Sequence, residues 1–339
     1  MRALLIIAAL AALTGIGVAF SINYATRYID QPGPLASEKI VFIAPGMGVR
    51  TMGEHLKSEQ VIAQPYAFMA FTRLWGVTGR LKAGEYAFAP GVSLRNVIVK
   101  LVQGDVFARN VTIPEGLTSF EIAAIVNAAP VMSGNIAIPP PEGSIMPDTY
   151  AYIRNDDRAK LLEEAQRAMN DTLSDLWEKR APGLPFSTPQ EALVLASIVE
   201  KETRLAPERT RVAGVYINRL RKNMMLQSDP TVIYAITKGT SRIDRVLYQH
   251  LEVDSPYNTY RNTGLPPTPI CAPGRASIEA VLNPEVNDYL FFVADGQGGH
   301  IFAKTMAEQE VNVAKYRVIQ RQERAAAAAA KEAVETPAP

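Results

Sequence analysis

A run of 20 residues without a charged side chain opens this sequence and constrains its fold more than any other feature. Residues 3–22 read ALLIIAALAALTGIGVAFSI, and about 20 apolar residues are what an α-helix needs to cross the hydrocarbon core of a bilayer. We therefore predict a transmembrane anchor in residues 1–22. Arg2 precedes the run and charges of both signs follow it, which favours a cytoplasmic N-terminus and an extracytoplasmic body.

A cleavable signal peptide is the alternative interpretation of the same run. Its small-residue cleavage site, Ala9-Leu10-Ala11, falls inside the apolar stretch, whereas signal peptides are cut after that stretch. The anchor is therefore favoured. Under either interpretation, the rest of the chain is exported.

The composition excludes several classes of protein. The 35 lysines and arginines balance 34 acidic residues, for a net charge of +1, so we expect no nucleic-acid partner, which would need a concentrated basic surface. A single cysteine, Cys271, cannot form an intramolecular disulfide. Three scattered histidines, with no H-E-x-x-H or C-x-x-C motif, predict no metal site. No glycine-rich phosphate loop occurs, and we predict no cofactor.

Composition and hydrophobic periodicity divide the remaining chain into four segments. Residues 23–38 contain Gln-Pro-Gly-Pro and predict a linker. Residues 39–105 predict a small domain, with strands at 39–44 and 84–88, a helix at 49–58, and a second helix capped by Ser93 and Gly104. Residues 106–320 predict a larger domain, and the alanine-rich residues 321–339 a disordered tail.

One acidic side chain continues the apolar face of a predicted helix. Leu195 and Val199 recur at helical spacing, and Glu202 extends their stripe. Burial raises the pKa of a carboxyl group and keeps it protonated, as a general acid that cleaves a glycosidic bond must be. Glu200 lies about 200° around the helix axis and is a weaker candidate. An ordinary solvated helix end and a satisfied structural carboxylate are the alternatives.

Amide, tyrosine and aspartate side chains recur downstream between rigid turns. Sugar hydroxyls and acetamides are bound by short polar groups beside flat aromatic faces, so this pattern indicates a saccharide cleft. For any single residue, turn chemistry or a half-buried tyrosine is the alternative. The candidates for binding sugar or shaping the cleft are Gln227, Asp229, Tyr257, Asn258 and Tyr260, with Asp295 and His300 as weaker candidates.

Several of these residues belong to longer motifs that follow one another along the chain. The motifs are VEKET at 199–203, LQSDPTVIY at 226–234, YNTY at 257–260, GLPP at 264–267 and FVADG at 292–296. In content and order they resemble the YceG-like family, the endolytic murein transglycosylases of bacteria. The resemblance extends back through EGSIMPDTY at 142–150. The chain departs from the family pattern at Thr268, where a glycine is more common.

The resemblance implies an α+β fold with an N-terminal membrane helix, a small LysM-like domain at 39–105 and a mixed α+β catalytic domain of the YceG type at 106–320. The implied function is that of a lytic transglycosylase at the bacterial inner membrane. It would cut the bond between N-acetylmuramic acid and N-acetylglucosamine within nascent peptidoglycan, leave 1,6-anhydro ends and terminate glycan elongation. Glu202, the second glutamate of VEKET, is then the catalytic acid, and peptidoglycan synthases are the expected protein partners.

Two other functions stay open on the sequence alone. A non-catalytic protein could use the same small domain and polar cleft to bind peptidoglycan as a scaffold. A hydrolase could use the same acid but admit water, and would leave reducing ends instead of anhydro ends.

Overall fold

In the computed structural model the described residues are 26–203, 205–243 and 245–335, with residues 10, 13–17, 20, 23 and 24 near the N-terminus. Most of the predicted transmembrane segment, residues 3–22, lies outside the described residues. Within the described part of the chain, no helix is both long and apolar enough to cross a membrane. The anchor therefore stays a prediction.

The chain divides into two compact units. The first comprises the described residues up to Arg109 together with Ala151–Asn155, and the second comprises Asn110–Tyr150 and the residues from Asp156 onwards. The domain boundary predicted after residue 105 falls close to this division. The return of Ala151–Asn155 to the first unit has no counterpart in the prediction, because no local sequence signal marks it.

The first unit combines a small antiparallel sheet with helices. Strands β1 (Lys39–Ile43) and β2 (Gly84–Phe88) pair with Val41 opposite Tyr86. The helices are α1 (Val49–Ser58), α2 (Pro65–Leu74) and α3 (Leu94–Gln103), with a 3-10 turn at Thr78–Arg80. Their apolar faces enclose a core whose largest fully buried side chains are Tyr86, Phe68, Phe88, Leu56 and Ile98.

The capping signals around α3 are confirmed. The hydroxyl of Ser93 accepts a hydrogen bond from the Asn96 N–H at 3.3 Å, and Gly104 ends the helix in a left-handed conformation with φ of 73°. Helix α2 was not predicted, although proline at its first position is a common helix start.

A buried carboxylate joins the returning residues to the first unit. Glu85 is 5% exposed and forms ion pairs with Arg109 and with Arg154, the latter at 2.6 Å. Burial alone would raise the pKa of Glu85, but the hydrogen bonds from the two arginines outweigh it and lower that pKa. Arg154 also lies over the ring of Phe42 at 4.9 Å.

The second unit is mainly helical. Together with the sheet of the first unit, it gives the protein a mixed α and β fold. Its helices are α4 (Ser119–Ala128), α5 (Arg158–Glu178), α6 (Pro189–Glu202), α7 (Ala206–Arg221), α8 (Asp229–Thr237), α9 (Arg275–Leu282) and α10 (Met306–Glu335), with a 3-10 turn at Tyr248–Glu252. In this unit β5 (Phe291–Ala294) pairs with β6 (His300–Ala303). Strands β3 (Arg109–Thr112) and β4 (Thr149–Tyr152) form a further two-stranded sheet.

Helix α6 runs through the centre of this unit. A capping box of Thr188 and Glu191 starts it, and every residue from Ala192 to Val199 is buried. Helices α7 and α9 pack against it and complete the core. The sequence stripe through Leu195 and Val199 therefore does face the interior.

The last helix of the chain is long. Helix α10 continues to Glu335, within residues 321–339, for which the sequence predicts a frayed helix that passes into a disordered tail. The six alanines at 325–330 explain the helix, since alanine has the highest helix propensity. Residues 336–339 lie outside the described residues.

Candidate active site

Glu202 is the last residue of α6, and its side chain is partly buried. Its Oε1 accepts a hydrogen bond from the hydroxyl of Tyr216 at 2.8 Å and a second from the hydroxyl of Ser228 at 2.5 Å. Neither donor, nor any other described residue, makes a hydrogen bond to Oε2. One oxygen of the carboxyl group is thus fixed by the protein, and the other makes no hydrogen bond to a described residue.

The surroundings of Glu202 favour its neutral form. Burial is the largest influence and raises the pKa of Glu202, and the negative charge of Asp229 raises it further. The hydrogen bonds from Ser228 and Tyr216, and the nearby His300, act in the opposite direction but do not cancel the increase. The position at the C-terminal end of a helix also disfavours a negative charge. Glu202 therefore holds a proton to higher pH than an ordinary glutamate.

Tyr216 reaches Glu202 from the buried face of α7. Its side chain is 1% exposed, and its ring meets Phe292 edge to face at a centroid distance of 5.8 Å. Burial and the neighbouring Glu202 raise the pKa of Tyr216 well above its ordinary value, so the hydroxyl stays protonated and acts as a donor. Tyr216 was not among the site residues predicted from the sequence. Its spacing of four from the buried Val212 was the available signal.

Ser228 is held by the loop that precedes α8. The Ser228 N–H donates to the hydroxyl of Thr259, and the Gln227 N–H donates to the Thr259 carbonyl, both at 3.0 Å. The buried guanidinium of Arg219 donates to the carbonyl of Leu226 at 2.7 Å. Ser228 belongs to the LQSDPTVIY motif but was not among the predicted site residues. Gln227, which was predicted, helps to fix this loop, and its backbone adopts φ of 51°.

Asp229 and Tyr260 lie beside the acid and contact each other. The Tyr260 hydroxyl donates to Asp229 Oδ1 at 2.6 Å. Burial, followed by the contact with Asp229, raises the pKa of Tyr260 above its ordinary value. The structure therefore brings these two predicted residues together with Glu202, in agreement with the electrostatic effect of Asp229 on that residue.

The two other predicted residues of the YNTY motif have different surroundings. The Tyr257 hydroxyl is hydrogen-bonded to Thr268 at 2.8 Å, and its ring packs against Tyr234 at a centroid distance of 4.9 Å. Asn258 is fully buried, and its amide donates to the carbonyls of Leu251 and Val253, both at 2.8 Å. Asn258 therefore shapes the loop and has no surface with which to bind a sugar.

The weaker candidates Asp295 and His300 belong to the β5–β6 hairpin. Asp295 Oδ1 accepts the N–H groups of Gln297 and Gly299 at 2.7 and 2.9 Å, so it stabilises the hairpin turn. His300 Nδ1 lies 2.8 Å from Glu208 Oε2, and the His300 N–H donates to Glu208 Oε1 at 3.0 Å. His300 lies near enough to Glu202 for a proton on its ring to lower the pKa of that carboxyl, whereas Asp295 has a structural role.

Glu200 faces a different neighbour. Its Oε2 accepts the Gly274 N–H at 3.0 Å and the Ser277 hydroxyl at 2.7 Å, at the first turn of α9. A carboxylate in this position satisfies N–H groups that have no partner within the helix. Glu200 therefore caps α9, and this position fits the structural alternative that the sequence left open for a carboxylate.

The described residues contain no group of three or more histidine, cysteine, aspartate or glutamate side chains that could hold a metal ion. The groups gathered around Glu202 are one carboxyl group with a raised pKa, two hydroxyl donors and a second carboxylate. Such a set can donate a proton to a leaving oxygen and take one back.

Comparison with known proteins relates this site to a family. The model of the YceG-like family matches residues 41–315. The endolytic murein transglycosylase of Bacillus subtilis (strain 168) is 32% identical over 305 residues, which cover 81% of this chain and 83% of that protein. The endolytic murein transglycosylase of Streptococcus pneumoniae serotype 2 (strain D39 / NCTC 7466) is 28% identical over 322 residues. That match covers 81% of this chain and 58% of the pneumococcal protein.

A solved structure extends the similarity to the fold. The crystal structure of a yceG-like protein from Listeria monocytogenes superimposes with a TM-score of 0.50 at 30% sequence identity, and the match covers 81% of this chain and 99% of that one. The family match spans the stretch of chain that contains Glu202, Tyr216, Ser228 and Asp229. The chain belongs to the YceG-like family.

Proposed function

We propose that this protein is a lytic transglycosylase that cleaves the bond between N-acetylmuramic acid and N-acetylglucosamine within peptidoglycan strands. The observation that carries the proposal is Glu202, a carboxyl group with a raised pKa, one oxygen held by two hydroxyl donors and the other without a hydrogen bond to a described residue. Relatives named endolytic murein transglycosylases align with most of the chain, which supports this substrate and reaction.

In the first step Glu202 acts as general acid. Because Oε1 already accepts two hydrogen bonds, the acidic proton is carried by Oε2. It passes to the oxygen that links the two sugars while the bond from that oxygen to C1 of the muramic acid breaks. Positive charge develops at C1, and the 2-acetamido group of the same sugar stabilises it.

In the second step the same residue acts as base. The hydroxyls of Tyr216 and Ser228 stabilise the Glu202 carboxylate formed in the first step. The C6 hydroxyl of the muramic acid gives its proton to this carboxylate, and its oxygen bonds to C1 to form a 1,6-anhydro ring. Attack within one sugar has a high effective concentration and outcompetes water. Glu202 is again protonated, so one carboxyl group completes the cycle.

Asp229 adjusts the acid rather than attacking the sugar. Most glycosidases use two carboxylates, the second as base or nucleophile. Here the second carboxylate accepts the hydroxyl of Tyr260 at 2.6 Å, and its charge raises the pKa of Glu202. This arrangement favours a transglycosylase over a water-using hydrolase.

The location that suits this reaction is the outer face of the bacterial inner membrane. Residues 3–22 carry no charge, and we propose that they anchor the protein by a single helix with the site facing outward. An anchored enzyme would meet strands as they are synthesised. Cutting them there would terminate their elongation and would bring peptidoglycan synthases within reach as partners.

The first unit has an arrangement that supports a LysM-like assignment. Its order of strand, helix, helix and strand, with β1 and β2 antiparallel, is the order expected for such a module. We propose that it binds glycan or orients the catalytic unit over the membrane.

Product analysis tests the proposed reaction. Isolated sacculi are digested with the wild-type protein, the Glu202→Gln variant and the control Glu163→Gln, which alters an exposed carboxylate on α5. We expect 1,6-anhydro ends from the wild type and the control and none from Glu202→Gln. Mass spectrometry distinguishes these ends from hydrolytic reducing ends by about 18 Da, the mass of one water. Reducing ends would indicate a hydrolase, and no new ends a non-catalytic binding protein.

A further inference from the structure

A cavity of about 740 Å³ lies in the second unit beside the end of α6. Three stretches of chain and Ile270 line it; the stretches are residues 115–121, the end of α6 with the start of α7, and α8 with the loop that follows it. Glu202 is not part of the lining. The sequence motifs and the reaction proposed above give this cavity no role.

Two charged groups in the lining have no hydrogen-bond partner among the described residues. The Nε of Arg209 is buried and has no hydrogen-bond partner. Glu115 makes no hydrogen bond; burial and the charge of Glu200 raise its pKa, and the charge of Arg209 acts in the opposite direction. Other charged residues of the lining are engaged: Glu200 caps α9, and Glu121 pairs with Arg242 at 2.8 Å. A buried donor without a partner is unfavourable, so Arg209 is suited to bind an anionic group that enters the cavity.

The cavity wall is aliphatic rather than aromatic. Ile233, Ile243 and Ile270 contribute to it, and among the described residues of the lining Tyr234 is the one aromatic side chain. The Tyr234 hydroxyl is already engaged with Glu142 at 3.2 Å. Uncharged sugars are bound by polar groups beside aromatic faces, so neither the wall nor the free charges of this cavity match a sugar.

Two stretches of chain contribute both to the lining of the cavity and to the site around Glu202. Lys201 lines the cavity and directly precedes Glu202, and Pro230 lines it and directly follows Asp229. Consecutive Cα atoms are about 3.8 Å apart, and an extended peptide spans about 3.3–3.6 Å per residue. A peptide of a few residues attached to a sugar at Glu202 is therefore long enough to enter the cavity.

We propose that this cavity binds the short peptide that N-acetylmuramic acid carries in peptidoglycan. Arg209 binds a carboxylate of the peptide, Glu115 binds an amine, and the isoleucines contact its aliphatic parts. The inference rests on the proposed function for the identity of the substrate. It makes the enzyme selective for strands that bear peptides.

A binding experiment tests the site without catalysis. The probe is a free stem tetrapeptide with a dibasic third residue, titrated by NMR or calorimetry into the full-length Glu202→Gln protein. Adding Arg209→Gln should weaken binding at least about tenfold, as the loss of a charged hydrogen bond predicts, whereas Arg209→Lys should restore part of it. Arg167→Gln, an exposed arginine on α5, is the matched control and should bind as before. Equal binding by the Arg209→Gln and control proteins would overturn the proposal.

A cleavage experiment separates this inference from the proposed function. The protein is offered strands with peptides and strands from which an amidase has removed them, and the ratio of the two kcat/KM values is measured. We expect the wild type and Arg167→Gln to prefer peptide-bearing strands, and Arg209→Gln to lose most of that preference. Anhydro products with no preference, and no effect of Arg209→Gln on the ratio, would refute the peptide site and leave the proposed function intact.

The opposite result is also informative. If no strand is cleaved but the tetrapeptide binds and Arg209→Gln abolishes that binding, the proposed reaction fails and the peptide site stands. Should Arg209→Gln not fold, Glu115→Gln provides a second variant, because Glu115 lies in the exposed part of the lining. It should weaken binding of the tetrapeptide but not of an analogue whose side-chain amine is acetylated, and equal effects on both would count against the site.

Discussion

Two glutamates at the end of helix α6 have the same side chain and opposite surroundings. Glu200 points to the start of α9, where a backbone N–H and the Ser277 hydroxyl bind its carboxylate. Glu202 points to Tyr216 and Ser228 from the buried end of its own helix, where its pKa is raised. The start of a helix stabilises negative charge and the end destabilises it. A separation of two residues therefore distinguishes a structural carboxylate from a proton donor.

Replacement of Glu202, the proton donor of the pair, should have the largest effect on activity. The Glu202→Gln protein should fold normally and lose about 10²–10⁴-fold in kcat, because the general acid is gone. Release of anhydro-ended fragments from labelled sacculi measures the loss, and circular dichroism checks the fold. A fall of less than threefold would mean that Glu202 is not the acid.

The same comparison predicts a loss of stability at Glu200. Glu200→Ala removes the acceptor for Gly274 and Ser277, so the free energy of unfolding should fall by about 1–3 kcal/mol. Urea denaturation followed by circular dichroism gives this value. The kcat should fall far less than in Glu202→Gln, and comparable losses in the two variants would contradict the division of roles.

The hydroxyl groups that donate to Glu202 can be tested through the dependence of activity on pH. The acid must be protonated, so activity should decrease as pH rises through the raised pKa of Glu202. Ser228→Ala removes a hydrogen bond that lowers this pKa, which shifts the alkaline decrease to higher pH by a few tenths to about one unit. The Thr240→Ala variant, whose hydroxyl bonds only to the Thr237 carbonyl, controls for loss of a hydroxyl. A shift to lower pH in Ser228→Ala would refute the electrostatic account.

The smallest effect should come from Asp229, with the opposite sign. Asp229→Asn removes a charge that raises the pKa of Glu202 but retains an oxygen that can accept the Tyr260 hydroxyl. The alkaline decrease should therefore move to lower pH by a few tenths of a unit, as expected for a charge partly screened by solvent. The profile of kcat against pH measures it. An unchanged profile would indicate that Asp229 acts only through its hydrogen bond.

Local signals in the sequence predicted local features of the fold. The caps at Ser93 and Gly104 predicted the limits of α3, and the apolar stripe through Leu195 and Val199 predicted that α6 is buried. Both depend on residues within a few turns of one helix. The position of Glu202 on that stripe could be predicted for the same reason.

Features that depend on the tertiary fold were not predicted. The hydroxyls of Tyr216 and Ser228 come from 14 and 26 residues beyond Glu202, so no spacing in one helix could identify them as its donors. Asparagine is usually found at the surface, but Asn258 is completely buried, and its amide donates to a backbone carbonyl. Helix α2 begins after Gln64, which makes no side-chain capping bond, so the kind of start signal that marked α3 is missing there.

The hydrogen bonds between Glu200 and the start of α9 also help to fix the rotation of α6 about its axis, and with it the direction of the Glu202 side chain. With side chains included, a helix has a radius of about 5–6 Å, so a turn of α6 by about 10° about its axis would displace the Glu202 carboxyl by about 1 Å. Misplacement on that scale can reduce a rate about a hundredfold. The Glu200 contact on the opposite side of α6 adds to the packing of α7 and α9 against this helix, and together these contacts keep the proton donor in register with its target.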